Sequence, residues 1–71
     1  MKSWQKVYQH GNAIRAEIVK DQLINHQIPA VVVPKKDSNY VHLGHYEVHV
    51  NQEDVLKAIK LIENDIRFDE I

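Results

Sequence analysis

The chain of 71 residues contains no cysteine, only two glycines and two prolines, and no long apolar run. The lack of cysteine excludes disulfides, thiolate metal sites and cysteine nucleophiles. Gly11 and Gly44 stand alone, so there is no glycine-rich loop to hold a phosphate. The longest apolar run, Ala30 to Val33, is too short to cross a bilayer, and no signal-peptide pattern opens the chain. These absences predict a cytoplasmic protein.

The chain also lacks an excess of charge of one sign. Lys and Arg number 9 and Asp and Glu number 10, which gives a formal net charge of −1. This balance argues against a nucleic-acid clamp and against a domain that binds a membrane surface. With 44% apolar and 27% charged residues, the chain reads as one soluble globular domain over residues 1–71. Because so short a chain buries a small core, we expect it to gain stability from a homodimer or from a bound metal.

Apolar periodicity predicts the element order β-α-β-β-α. The predicted elements are a strand Trp4 to His10, a helix Ala13 to Gln27, a strand Ile28 to Pro34, a strand His45 to Val50 and a helix after Asn51. Residues 66–71 are predicted to add a short fourth strand. Pro29 and Pro34 bracket the second strand and indicate that it lies at a sheet edge, because proline removes a donor from the hydrogen-bond ladder.

Both helices are predicted to be amphipathic, with asparagines at their N-caps. Asn12 and Asn51 have the side chain preferred at that position. The predicted apolar stripes are Ala16, Val19, Leu23 and Ile24 in the first helix, and Val55, Ala58, Ile59 and Ile62 in the second. The sequence therefore predicts an α+β, ferredoxin-like split βαβ fold, in which two helices cover one face of an antiparallel sheet.

Several segments together resemble a family of small bacterial proteins grouped as putative prokaryotic signal-transducing proteins, a domain of unknown function placed near the PII-like proteins. The matching residues are Trp4, Lys6 to Tyr8, Ala16 to Lys20, Leu23, Ile28 to Val32, Lys35 to Tyr40, Gly44, Glu47 to Val50, Glu53, Asp54 and Ala58. The resemblance implies a ferredoxin-like domain with a regulatory or ligand-sensing role and no known reaction. Some relatives carry a cysteine-rich zinc module after the second helix, and this chain, without cysteine, has none.

The resemblance also implies a site, because the connection between the second and third strands of PII-like proteins meets ligands or partners. Here that connection is predicted to be a polar loop from Lys35 to Gly44. Two lysines, a hydroxyl and a phenol suit an anionic group on a small ligand or a partner protein. The candidate residues are Lys35, Lys36, Asp37, Ser38 and Tyr40. The alternative is a solvated turn, in which Asp37 and Ser38 bond their own backbone.

A histidine cluster supports a different hypothesis, a metal-binding or metal-sensing protein. His45 and His49 alternate with Glu47 on one face of the third strand, and His42 comes just before. Alternate strand residues lie about 7 Å apart, so one tetrahedral ion needs a further ligand, for which His10 is the candidate. The simpler reading is a polar, solvent-facing sheet surface with no site. A third reading is a pH response, in which the closely spaced histidines loosen an interface on acidification.

Catalysis has little support, since the only serines, Ser3 and Ser38, stand in no recognisable nucleophile motif. We therefore expect a non-enzymatic module that needs no cofactor.

Overall fold

A computed structural model describes residues 3–37 and 40–64 of the chain. It contains β1 (Trp4–His10), α1 (Ala13–Asn25), β2 (Ala30–Asp37), β3 (Tyr40–Asn51), a single 3₁₀ turn (Gln52–Asp54) and α2 (Val55–Asn64). The predicted order β-α-β-β-α is confirmed. The predicted fourth strand, residues 66–71, lies outside the described residues.

The three described strands form one antiparallel sheet in the order β1-β3-β2. In the register, Gln5 of β1 and Ala30 of β2 both lie opposite Val50 of β3. Among the described strands β2 is therefore an edge, as its two prolines predicted, and β1 is the other edge.

The core lies between the two helices and one face of the sheet. Its fully buried side chains include Val48 and Val50 of β3, Val19 and Leu23 of α1, and Ala58 of α2. Val48 and Val50 belong to the same buried cluster as residues of α1 and α2, so both helices cover the face of the sheet that carries these valines. The opposite face has no described element packed on it, and we call it the open face. This arrangement is consistent with the predicted ferredoxin-like split βαβ fold. Neither described helix is long and apolar enough to cross a membrane.

Specific hydrogen bonds cap both ends of helix α1. At its start, Oδ1 of Asn12 accepts from the backbone N–H of Ile14 at 2.7 Å, which confirms the predicted N-cap. At its end, the N–H groups of Gln27 and Ile28 donate to the carbonyls of Ile24 and Leu23, both at 2.9 Å. This is a Schellman motif, and it holds Gln27 at φ 68°, in the left-handed region that favours glycine. The motif brings buried Ile28 back over buried Leu23 and so directs the chain into β2.

Two details of the predicted helices are wrong. Ile24 was assigned to the buried stripe but is 46% exposed, because it lies one residue beyond Leu23 and faces the outer surface of α1. Asn51 makes no side-chain cap bond; it is a buried residue at the end of β3, and a 3₁₀ turn separates it from α2. The core face of α2 includes Leu61, which was not among the predicted residues.

A β-bulge at Val7 determines which side chains of β1 face the core. Lys6 lies opposite His49, but Tyr8 lies opposite Val48, so Val7 is an additional residue in β1. The bulge reverses the alternation of side chains between the two faces of β1. Lys6 lies on the open face with His49, whereas Val7 and Tyr8 both pack against the core. This explains why the sequence of β1 shows no consistent apolar face.

The Schellman motif gives a prediction about stability. Gln27→Gly should raise the free energy of unfolding by about 1 kcal/mol, because glycine adopts a positive φ without the steric cost that glutamine bears. Gln22→Gly, inside α1, is the matched control and should lower it by about 1 kcal/mol. Urea denaturation measures both, and equal destabilisation by the two substitutions would contradict the role given to Gln27.

Candidate functional site

The hairpin of β2 and β3 extends beyond the rest of the sheet as a two-stranded ribbon. β1 stops pairing with β3 at His10 and Tyr46, whereas β2 continues to pair as far as Asp37 and Tyr40. The prediction of a loop from Lys35 to Gly44 is therefore wrong: only residues 38 and 39 lie between the strands, and they lie outside the described residues. Polar composition suggested a loop, but exposed strands of a ribbon tolerate polar side chains because their backbones are paired with each other.

Gly44 allows the two strands of the ribbon to approach closely. A Cβ atom at this position would lie 2.6 Å from the carbonyl oxygen of Lys35. The register of the ribbon also shifts between Lys35 and Asp37, so the strand path is irregular here. Only glycine leaves room for this contact, which fixes where the ribbon leaves the body of the sheet.

A cleft of about 180 Å³ lies at the base of the ribbon. It is lined by residues that follow β1 and by facing parts of β2 and β3, namely Gly11, Pro34, Lys35, Lys36, Gly44, His45 and Tyr46. Both lysines are exposed, and the lining contains no carboxylate. We call this the basal cleft. Its charge suits an anionic group.

The structure brings together two of the five predicted binding residues. Lys35 and Lys36 line the basal cleft. Asp37 and Tyr40 lie opposite each other farther along the ribbon, and Ser38 lies outside the described residues.

On the open face, Glu47 links the two histidines of β3. Its Oε2 lies 2.8 Å from Nε2 of His45, and its Oε1 lies 2.9 Å from Nε2 of His49. The ammonium of Lys6, on β1, is 3.9 Å from Oε2. The Glu47 side chain is only 12% exposed, so these neighbours cover most of it.

These contacts hold Glu47 in its charged form. The hydrogen bond from His49, then that from His45, lowers the pKa of Glu47 to about 2, from its ordinary value of 4.5. Partial burial acts in the opposite direction, and the charges of Lys6 and Lys35 add to the lowering. Glu47 is therefore an anion at neutral pH and well below it.

The structure does not bring His10 to the other histidines. The bulge at Val7 places His10 opposite Tyr46, on the face that the helices cover, where its ring stacks with that of Tyr8 at 6.3 Å. Its Nδ1 accepts from the backbone N–H of Asn12 at 2.9 Å. His42 belongs to β3. Among the side chains that the structure describes, those of residues 3–36 and 44–64, no three from His, Asp or Glu are arranged to hold a metal ion.

Several residues of these sites were absent from the predicted binding set. Gly11, Pro34, Gly44 and Tyr46 line the basal cleft, and Glu47 organises the open face. A signal existed for two of them. A single glycine flanked by strand-like residues, as at Gly44, often marks a close approach of two backbones. The alternation His45-Glu47-His49 placed a carboxylate between two imidazoles, each within reach of its oxygens.

The close contact at Gly44 predicts a selective effect of adding one methyl group. Gly44→Ala should lower the free energy of unfolding by about 1–3 kcal/mol, because the new Cβ would overlap the backbone at Lys35. Gly11→Ala, at the other side of the cleft, is the control: nothing lies within 4 Å of a Cβ there, so the change should stay within about 0.5 kcal/mol. Denaturation curves measure both, and equal effects would contradict the contact.

The environment of Glu47 predicts a pH dependence with a definite sign. Because the pKa of Glu47 is lowered to about 2 in the folded state, its stabilising effect is complete above its ordinary value of 4.5 and is lost as the pH falls toward 2. The deficit in stability of Glu47→Gln should therefore be largest above pH 4.5 and shrink on acidification.

A direct measurement follows the side-chain carboxyl carbon of Glu47 by NMR as the pH is lowered. The hydrogen bond from His49 is the largest cause of the lowered pKa of Glu47. His49→Val removes this bond and should therefore raise the midpoint of the titration. An unchanged midpoint in that variant, or one at the ordinary value in the natural chain, would show that the imidazoles do not control the carboxylate.

Comparison with known proteins agrees with the family resemblance of the sequence segments. No curated protein and no solved structure gives a significant match. A family model described as "Putative prokaryotic signal transducing protein", a domain of unknown function, matches residues 4–65. This range covers all the described strands and helices, with the basal cleft and the open face. The chain therefore belongs to the family described as "Putative prokaryotic signal transducing protein".

Proposed function

We propose that this chain is a small, non-enzymatic regulatory module of the cytoplasm that recognises an anionic group in the basal cleft. The observation that carries the proposal is the lining of this cleft, which combines Lys35 and Lys36 with no carboxylate. The family description supports a signalling role in general terms. Charge-assisted hydrogen bonds from two lysines give specificity for phosphate or carboxylate groups.

The position of the cleft suggests how binding is transmitted. Lys35 and Lys36 belong to the part of the hairpin where the ribbon leaves the sheet, whereas Gly11 and Tyr46 belong to the body of the domain. An anion that contacts both sides ties the ribbon to the body and fixes its direction. A partner protein that contacts the ribbon would then distinguish the bound from the free module.

We also propose that a second copy of the chain is a partner, as its small core suggests. The outer edge of β2 pairs with no other described strand. Beside the start of β2 lies an open groove of about 430 Å³ with an apolar lining that includes Trp4, Ile24 and Val31, each at least 40% exposed. A free edge next to apolar surface is suited to pairing between chains.

Inorganic phosphate is the probe that tests the cleft. Titration with sodium phosphate should shift the amide NMR signals of Gly11, Lys36 and Gly44 in a saturable way, whereas sodium chloride at equal ionic strength should not. Lys36→Gln should weaken binding about tenfold, the effect of losing one charged hydrogen bond.

Lys60→Gln is the matched control, because it removes an exposed lysine from α2, which contributes nothing to the cleft. Its phosphate affinity should equal that of the natural chain. Equal shifts with chloride and phosphate, or equal losses in the two variants, would contradict the proposal.

A further inference from the structure

The open face of the sheet carries a row of cationic and titratable side chains that the basal cleft does not explain. Lys6 comes from β1, Lys35 from β2, and His45, Glu47 and His49 from β3. Lys6 lies opposite His49, and Lys35 lies opposite His45. Because opposite residues share a face, one surface crosses all three strands.

The carboxylate in this row is covered by its neighbours. Both oxygens of Glu47 accept hydrogen bonds from imidazoles, and the side chain is 12% exposed, against 49% for Lys6, 38% for His45 and 18% for His49. The acceptors are thus occupied within the protein, and Lys6 and His45 are the more exposed groups around them. The row therefore presents donors to an external molecule although it contains an acid.

The bonds to Glu47 also determine where each imidazole takes up a proton. An ionised carboxylate only accepts, so Nε2 of His45 and Nε2 of His49 must both carry hydrogen. Nδ1 is then the basic nitrogen of each neutral ring, and proton uptake there changes an acceptor into a donor. Two lysines against one carboxylate leave a net charge of +1, and two added protons raise it to +3, whereas the chain as a whole has a formal charge of −1.

The spacing of the row favours an extended chain over a single small anion. His45 and His49 are four residues apart on a strand, which corresponds to about 14 Å. Carboxylates at alternate positions of an extended peptide recur every 7 Å or so, so such a peptide can reach both histidines.

We propose that the open face binds an extended acidic peptide segment of a partner protein, and that His45 and His49 take up protons when the segment binds. The charged groups that face these histidines are Glu47 on their own strand, Lys6 on β1 and Lys35 on β2, while both helices lie on the other face. An incoming row of carboxylates favours the charged form of a neighbouring imidazole, which links peptide binding to proton uptake.

The probe is a fluorescein-labelled peptide of eight residues that alternates Glu and Ser, with a Gln and Ser peptide as its control. Fluorescence anisotropy at constant ionic strength should give a dissociation constant about tenfold lower at pH 5.5 than at pH 8.0 for the acidic peptide, because imidazoles gain charge between these values. The Gln and Ser peptide should bind weakly at both pH values.

Three variants separate the open face from the basal cleft. His49→Gln should remove much of the pH dependence, and Lys6→Gln should weaken binding at both pH values while keeping their ratio. Lys36→Gln changes the cleft and should lower peptide affinity much less than Lys6→Gln does. In the natural chain, amide NMR shifts should map to Lys6, Val31 and His49 rather than to Gly11 and Gly44, a result that does not depend on the folding of any variant.

Several results would overturn the proposal. One is an affinity for the acidic peptide that does not depend on pH, and another is loss of peptide binding in Lys36→Gln. A third is that the Gln and Ser peptide, or a single-stranded oligonucleotide of the same charge, binds as tightly as the acidic peptide. Because the cleft is tested separately with phosphate, either site can fail without the other.

Discussion

The alternation of side chains along β3 is the constraint on which the rest of the structure depends. β3 is the middle strand of the described sheet, so its register fixes both of its neighbours. Val48 and Val50 face the helices and form the centre of the core, while His45, Glu47 and His49 face the other way. A slip of one residue would bury the charged row and expose the valines, so core packing and the geometry of the open face are specified together.

This constraint is also why much of the fold is predictable from the sequence. The alternation from His45 to Val50 is regular, and Ala16, Val19 and Leu23 recur at helical spacing, so pattern alone identified these elements and their buried faces. Ile24 was misassigned because a helical stripe is about 100° wide or more, and periodicity does not say where its boundary falls. That boundary depends on how α1 rests on the sheet, which is a property of tertiary packing.

The features that periodicity missed are those in which strand geometry is irregular. The bulge at Val7 adds one residue to β1, which changes the face of every later side chain and removes His10 from the predicted histidine group. The ribbon was read as a loop because Lys35 to Asn39 has the composition of a turn. Its strands are held by pairing with each other, and the close contact at Gly44 depends on atoms of a different strand.

The basal cleft and the open face are neighbouring surfaces, and this adjacency bears on how so small a domain could carry a signal. Lys35 and His45 line the cleft and also belong to the charged row, where His45 is bound to Glu47. An anion in the cleft would attract positive charge on this row, and positive charge there would in turn strengthen anion binding, because linkage between two sites is reciprocal. Such coupling acts through charge over a short distance and requires no movement of the core. If both proposed sites bind, a chain with one small core combines two inputs where the ribbon meets the sheet.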